Sequence, residues 1–218
     1  MRKISASIMC IDFVNLFEKI KQIDNHIDYI HIDIMDGLFV PNITFGFYQV
    51  NALRKITSTP FDIHLMVKEP EKYFNLFLIM PNDMISIHFE STSNIEYLIE
   101  KIHSKNALAC IAINPETPVH CISKYLSKID CVLIMTVNPG FAGQKLVPLT
   151  LNKIEELKSL LSQTNNTHIK IQVDGNVSFE NALKMKELGA DIFVVGTSSV
   201  FSDNDYIANL NKFKKIID

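Results

Sequence analysis

The chain has 218 residues, 47% apolar and 21% charged, with a formal net charge of -3. That is material for a sizeable core, and the near-balanced charge gives no reason to expect nucleic acid or an anionic membrane surface as a partner. No apolar run reaches the roughly 18 residues needed to cross a bilayer, and Asp12, Asn15 and Glu18 interrupt the apolar start too early for a signal peptide, so a cytoplasmic protein is expected.

Taken in order, Ile4 to Met9 reads as a first strand, and Asp12 caps an amphipathic helix through Ile23. Tyr29 to Ile34 is the second strand, followed by turn signals at Asp36-Gly37 and Pro41-Asn42 and a helix from Tyr48 to Lys55. Phe61 to Val67 is a third strand, with Pro70 at the start of the next helix. Met84 to Phe89 is a fourth strand, and Asn94 to Ser104 a helix with Ile95, Leu98, Ile99 and Ile102 on one face. Ala107 to Ile113 is apolar throughout, as a strand buried on both faces should be, and a helix from Val119 to Ser127 follows. Cys131 to Val137, His168 to Val173 and Asp191 to Val195 are the last three strands. Helices follow them at Pro148 to Leu161 and Ser178 to Leu188, with a short one opening at Gly196-Thr197-Ser198, and Asp205 to Ile217 closes the chain.

Eight strand-helix repeats without a linker predict an α/β fold, a single (β/α)8 TIM barrel spanning residues 1–218 as one domain. An open doubly wound sheet is the alternative, but Met9-Cys10-Ile11-Asp12 is not the Gly-rich turn it would carry after its first strand. Cys10, Cys110, Cys121 and Cys131 form no C-x-x-C pair, and reduced thiols are expected.

In such a barrel the active residues gather where strands end. His31 and Asp33, two apart, share one strand face, while Ile30, Ile32 and Ile34 take the other. A histidine and a carboxylate are costly to bury side by side without a partner. With His64 and Asp174 at two further strand ends they make a two-His, two-carboxylate set able to hold one divalent ion. A lone strand histidine is more often a hydrogen-bonded core residue, but four candidates converging on one mouth lower the odds of accident. Asp62 shares the face of His64 one layer deeper and suits an orienting role, whereas His88 is assigned to that outer layer or to plain packing. Gly140-Phe141-Ala142-Gly143, Gly175-Asn176 and Gly196-Thr197-Ser198 follow strands six, seven and eight, where backbone N–H groups and a short helix N-terminus would hold phosphate. Metal and phosphate across one mouth suit a phosphorylated sugar. Asp33 and Asp174, from strands far apart, suit proton removal from one face of a carbon and return to the other, with the ion acting as a Lewis acid on the developing enediolate oxygen.

The segments Ser5-Ala6-Ser7, His31 to Asn42, His64-Leu65-Met66, Met135 to Gln144 and Val173-Asp174-Gly175 together resemble the ribulose-phosphate 3-epimerase family over essentially the whole chain. The resemblance implies a barrel isomerase that binds one divalent metal (Zn, Mn, Co, Fe or Mg) through His31, Asp33, His64 and Asp174. It also implies Asp33 and Asp174 as the acid/base pair, Ser7 and His64 as substrate contacts, and phosphate on Gly140 to Gly143, Gly175-Asn176 and Gly196 to Ser198. Within the family the chain is more similar to the D-allulose-6-phosphate 3-epimerase branch, through Met9 to Asp12, Asn114 to Val119, Phe141-Ala142-Gly143 and Val195 to Ser198. Asn176 stands where pentose enzymes usually carry a second glycine, and Ala6 where both branches usually have proline. The expected reaction therefore interconverts D-allulose 6-phosphate and D-fructose 6-phosphate, with D-ribulose 5-phosphate and D-xylulose 5-phosphate as the alternative pair. A homo-oligomer is expected. Decarboxylation of a phosphorylated acid would need a D-x-K-x-x-D motif, and the required lysine is missing after both Asp33 and Asp62. A non-catalytic sugar-phosphate sensor would have no use for the intact carboxylate pair.

Overall fold

A strand's pleat sends alternate side chains to opposite faces, and all eight strands use it the same way. In the computed structural model, which describes residues 1–218, they are β1 (Lys3–Ser7), β2 (Tyr29–Met35), β3 (Phe61–Met66), β4 (Met84–His88), β5 (Leu108–Ile113), β6 (Cys131–Met135), β7 (Lys170–Asp174) and β8 (Ile192–Val195). They pair in parallel in sequence order, and β8 returns to β1, closing the barrel with Lys3 opposite Ile192. One face of each strand, including Ile30, Ile32 and Ile34, joins a shell of 52 buried apolar residues between barrel and helices. Inside, Tyr29, Met84, Cys110, Ala112, Cys131, Leu133, Met135 and Ile192 form a separate apolar cluster. The buried polar residues Ser5, Ser7, His31, Asp33, Asp62, His64, Ser86, His88 and Gln172 also sit on strands. This is the (β/α)8 architecture expected from the alternation of elements.

The α-helices are α1 (Leu16–Ile23), α2 (Phe47–Leu53), α3 (Ile95–His103), α4 (Leu149–Gln163), α5 (Phe179–Leu188) and α6 (Tyr206–Ile217). Three local expectations differ. The first strand stops at Ser7, because Ile8–Cys10 turns as a 3-10 segment, and Asp12 caps a second one at Phe13–Asn15, its side chain accepting from the Val14 N–H at 3.1 Å. The crossovers after β3 and β5 are 3-10 segments, Pro70–Lys72 with Phe74–Leu76 and Val119–Lys128, rather than α-helices. Finally, Gly196-Thr197-Ser198 opens a turn and no helix: the N–H groups of Ser199 and Phe201 both reach the Gly196 carbonyl at 3.1 Å, folding the chain back on itself. No positive helix end is therefore available there. All four cysteines are free, Cys110 and Cys131 buried and Cys10 and Cys121 half-buried. No helix is long and apolar enough to cross a membrane.

Candidate active site

β2 and β3 carry the same two residue types in opposite order, His-x-Asp and Asp-x-His. Their register sets His31 beside Asp62 and Asp33 beside His64, so the four side chains alternate like a checkerboard inside the barrel. His31 Nδ1 lies 2.7 Å from Asp62 Oδ2, and His31 Nε2 lies 3.1 Å from Asp33 Oδ1. With Nδ1 committed to Asp62, His31 turns its Nε2 to the interior. His64 Nδ1 is 3.2 Å from the same Asp33 oxygen. Asp174, at the end of β7, brings Oδ2 to 3.8 Å from His31 Nε2 and 3.6 Å from His64 Nδ1. The four donor atoms all lie within 4.8 Å of one another.

Burial opposes charge at each of these groups, and the neighbours decide the outcome. Burial alone would lower the His31 pKa, but the carboxylates of Asp62 and Asp33 outweigh it and hold it well above the usual value. Burial would raise Asp33, yet His31 and His64 hold that carboxyl far below the ordinary range. Asp174 goes the other way: burial, joined by Asp33 and Asp62 and opposed by His31, pushes it up to about 7. Burial keeps His64 below its ordinary value, and His88 at about 4. Two carboxylates held this far apart are disposed as a base and an acid. The same field draws positive charge to the point where the four donors meet. Two imidazole nitrogens and two carboxylate oxygens are a donor set suited to a divalent ion of the zinc, manganese, cobalt or iron type, so the residues fit a metal.

Above this set opens a cleft at the mouth of the barrel. Ser7, Asp33, Gly140, Phe141, Ala142, Gly143, Asp174, Gly175, Asn176, Gly196, Thr197 and Ser198 all line it, so the three Gly-containing loops share one wall. Met35, Met66 and Met135 line it as well. His31 and His64 lie beneath it, fully buried. Both ring nitrogens of His64 are engaged, with Asp33 and with His88, so its place is in the donor set and not at the cleft surface. The Ser7 hydroxyl donates to Asp33 Oδ2 at 2.8 Å.

The loops are braced from within. Gln144 Nε2 donates to the carbonyls of Asn138 at 2.6 Å and Phe141 at 2.9 Å, closing the Gly140–Gly143 loop. Asn42 reaches over from the β2 loop to the Gly140 carbonyl at 2.7 Å. Asn176 spends its Nδ2 on the Gln144 carbonyl at 2.7 Å, and its Oδ1 accepts from Asn181 at 2.8 Å, so this side chain ties two loops together. Gly175 has φ +111°, and a Cβ there would stand 2.6 Å from Val137 Cγ2 and 2.8 Å from the Val137 nitrogen. Gly175→Ala is therefore expected to cost about 2–4 kcal/mol through backbone strain and overlap. Urea unfolding checks this, and an unchanged midpoint would show that the loop relaxes freely.

The same two-residue alternation brings two further polar side chains to Asp62. Ser5 lies two before Ser7 and Gln172 two before Asp174, and both donate to Asp62 Oδ2, Ser5 at 2.7 Å. Asp62 was placed one layer below His64, but its partner is His31, across the strand pair. Met9, Cys10 and Gln144 also line the cleft, in addition to the expected site residues. His88 proves to be more than packing, because its Nε2 lies 2.8 Å from His64 Nε2.

The sequence profile of the Ribulose-phosphate 3 epimerase family matches residues 3–201. Over 206 residues the chain is 40% identical to the ribulose-phosphate 3-epimerase of Bacillus subtilis (strain 168), covering 94% of each chain. Over 214 residues it is 40% identical to the chloroplastic ribulose-5-phosphate-3-epimerase of Arabidopsis thaliana, covering 97% of this chain and 75% of that one. Among solved structures, KGPDC from Streptococcus mutans matches with a TM-score of 0.70 at 12% identity, covering 100% of this chain and 97% of that one, a likeness of fold alone.

Proposed function

Because the chain belongs to the ribulose-phosphate 3-epimerase family, whose members are isomerases that use a divalent metal, we propose that it inverts C3 of a ketose phosphate, with D-allulose 6-phosphate and D-fructose 6-phosphate as the preferred pair. The observation that carries the reaction is that Asp33 and Asp174 meet the two imidazole nitrogens from different strands at the floor of one cleft. Ionised Asp33 takes the C3 proton from one face, and protonated Asp174 delivers one to the other. In the reverse direction the roles exchange. Ser7, donating to Asp33 Oδ2, fixes the rotamer of that carboxylate and meets the substrate at the cleft wall. Asp62 holds His31 so that Nε2 faces the donor set. When held by His31, Asp33, His64 and Asp174, a divalent ion (Zn, Mn, Co, Fe or Mg) supplies Lewis-acid stabilisation of the negative charge that C3 deprotonation places on the neighbouring oxygen. The backbone of Gly140 to Gly143, Gly175-Asn176 and Gly196 to Ser198 takes the phosphate by N–H groups, with Asn176 acting as a brace.

The hexose preference is supported by where the branch-specific residues stand. Met9, Cys10, Phe141, Ala142, Gly143, Gly196, Thr197 and Ser198 all line the cleft, in position to shape the sugar end as well as the phosphate end. A second reading, the pentose pair, is supported by the names of relatives 40% identical to the chain. Measuring kcat/KM on D-allulose 6-phosphate and D-ribulose 5-phosphate in parallel, with metal added, decides between them. The expected result favours the hexose; a pentose preference keeps the chemistry and overturns the branch. The reading includes a homo-oligomer, supported by an exposed apolar face formed by Phe13, Phe17 and Tyr48.

A further inference from the structure

His88 and Glu90 stand two apart at the end of β4 and belong to neither the donor set nor the cleft wall. Yet they form a continuous line into the site. Glu90 Oε2 lies 3.3 Å from His88 Nδ1, His88 Nε2 lies 2.8 Å from His64 Nε2, and His64 Nδ1 faces Asp33 and Asp174. Both imidazoles are fully buried and meet edge to edge, their planes 22° apart and their centroids 5.0 Å apart.

We propose that Glu90 is a positioning residue for the metal set, acting on His64 through His88 along a one-way hydrogen-bond chain. The direction follows from counting protons. Two ring nitrogens 2.8 Å apart need one hydrogen between them. For His64 Nδ1 to offer a lone pair to a metal, that hydrogen must sit on His64 Nε2, so His88 Nε2 accepts. His88 then carries its own hydrogen on Nδ1 and needs an acceptor there. The Glu90 carboxylate is that acceptor. With an ion in the donor set, reversing the chain would aim an N–H from His64 at that ion and turn a His88 lone pair onto the Glu90 carboxylate, two repulsive contacts in place of two attractive ones. Glu90 is itself anchored, because its Oε1 accepts from the Asn114 N–H at 2.9 Å and from the Thr117 hydroxyl. Each ligand histidine thus has a carboxylate behind it: Asp62 directly behind His31, and Glu90 one imidazole removed behind His64.

This inference rests on the metal reading above, and the test separates the two. Full-length protein stripped of metal is titrated with Co²⁺, and binding is read from the visible d–d bands and not from turnover. Glu90→Ala and His88→Phe are each expected to weaken Co²⁺ binding about 10–100-fold. The double variant is expected to be no weaker than the weaker single one, since both cut the same chain. Thr92→Val, which removes a bond to Glu71 in the loop after β4 and touches neither His88 nor Glu90, is expected to bind as the wild type does. Wild-type affinity in Glu90→Ala, or an equal loss in Thr92→Val, overturns the inference while leaving the metal reading intact. Should Glu90→Ala fail to fold, wild-type affinity in His88→Phe overturns it equally. A wild type that binds no Co²⁺ overturns the metal reading and this inference together.

Discussion

Asp33→Asn and Asp174→Asn each lower kcat about 10²–10⁴-fold in both directions of the reaction, while the far-UV circular dichroism stays that of the wild type. The substitution keeps the shape of the side chain and removes its ability to carry the proton. The two variants differ in a way that a merely damaged site would not reproduce. With one carboxylate lost, the other still faces its own side of C3. In heavy water each variant is therefore expected to exchange the C3 hydrogen of one epimer without converting it, and the epimer that exchanges should switch between the two variants. The measurement is deuterium uptake by NMR at saturating metal, so that weakened metal binding does not masquerade as lost proton transfer. Wild-type turnover in either variant would sink the two-base mechanism, and exchange of both epimers in one variant would show that a single base serves both faces.

Removing the metal is expected to have an effect of similar size. Lewis-acid stabilisation of several kcal/mol corresponds to a loss of roughly a thousandfold or more in turnover. Activity should return on adding back a divalent ion, and comparing Zn, Mn, Co, Fe and Mg ranks the candidates that the donor set alone leaves equal. Stability should follow the same titration, because an ion that binds only the folded chain at about 100 times its Kd contributes about 2.7 kcal/mol. A chain of this length then gains roughly 5–11 °C in Tm. Full activity in protein shown by elemental analysis to be metal-free would defeat the assignment, as would a Tm indifferent to every ion tested.

What could be read from residue order divides along a physical line. Strand pleating is local, so the inward side of His31, Asp33, His64 and Asp174 follows from counting by twos, and the closed order β1 to β8 follows from eight alternations. Contacts between strands depend on register, which no local pattern encodes. Asp62 was therefore placed in the right layer, but its actual partner, His31, became visible only when β2 and β3 were paired. The contact of His88 with His64 is of the same kind. The 3-10 segments after β3 and β5 escaped for another reason. The two periods are hard to separate there, because Val119, Ile122 and Tyr125 fit a period of 3.0, Val119, Ile122 and Leu126 fit 3.6, and all four are apolar. The turn at Gly196 was mistaken for a helix start because a glycine and a serine serve either, and only the shared carbonyl at Gly196 tells them apart.

The pairing of Lys3 with Ile192 has a consequence for how the molecule is made. A ribosome adds about 5–20 residues per second, so roughly 10–40 seconds pass before the strand that seals the barrel exists. Until then β1 has one free edge, and the inward faces of seven strands have no closed interior to occupy. Asp174 is supplied by the seventh of them, which means that His31, Asp33 and His64 wait through most of synthesis for the carboxylate that completes their set. During that interval an incomplete three-residue site and an open sheet edge coexist on the nascent chain. Cells short of chaperones should therefore lose this protein to aggregation in proportion to how slowly the codons for β7 to β8, residues 170–195, are read, a dependence that synonymous recoding of that stretch would expose.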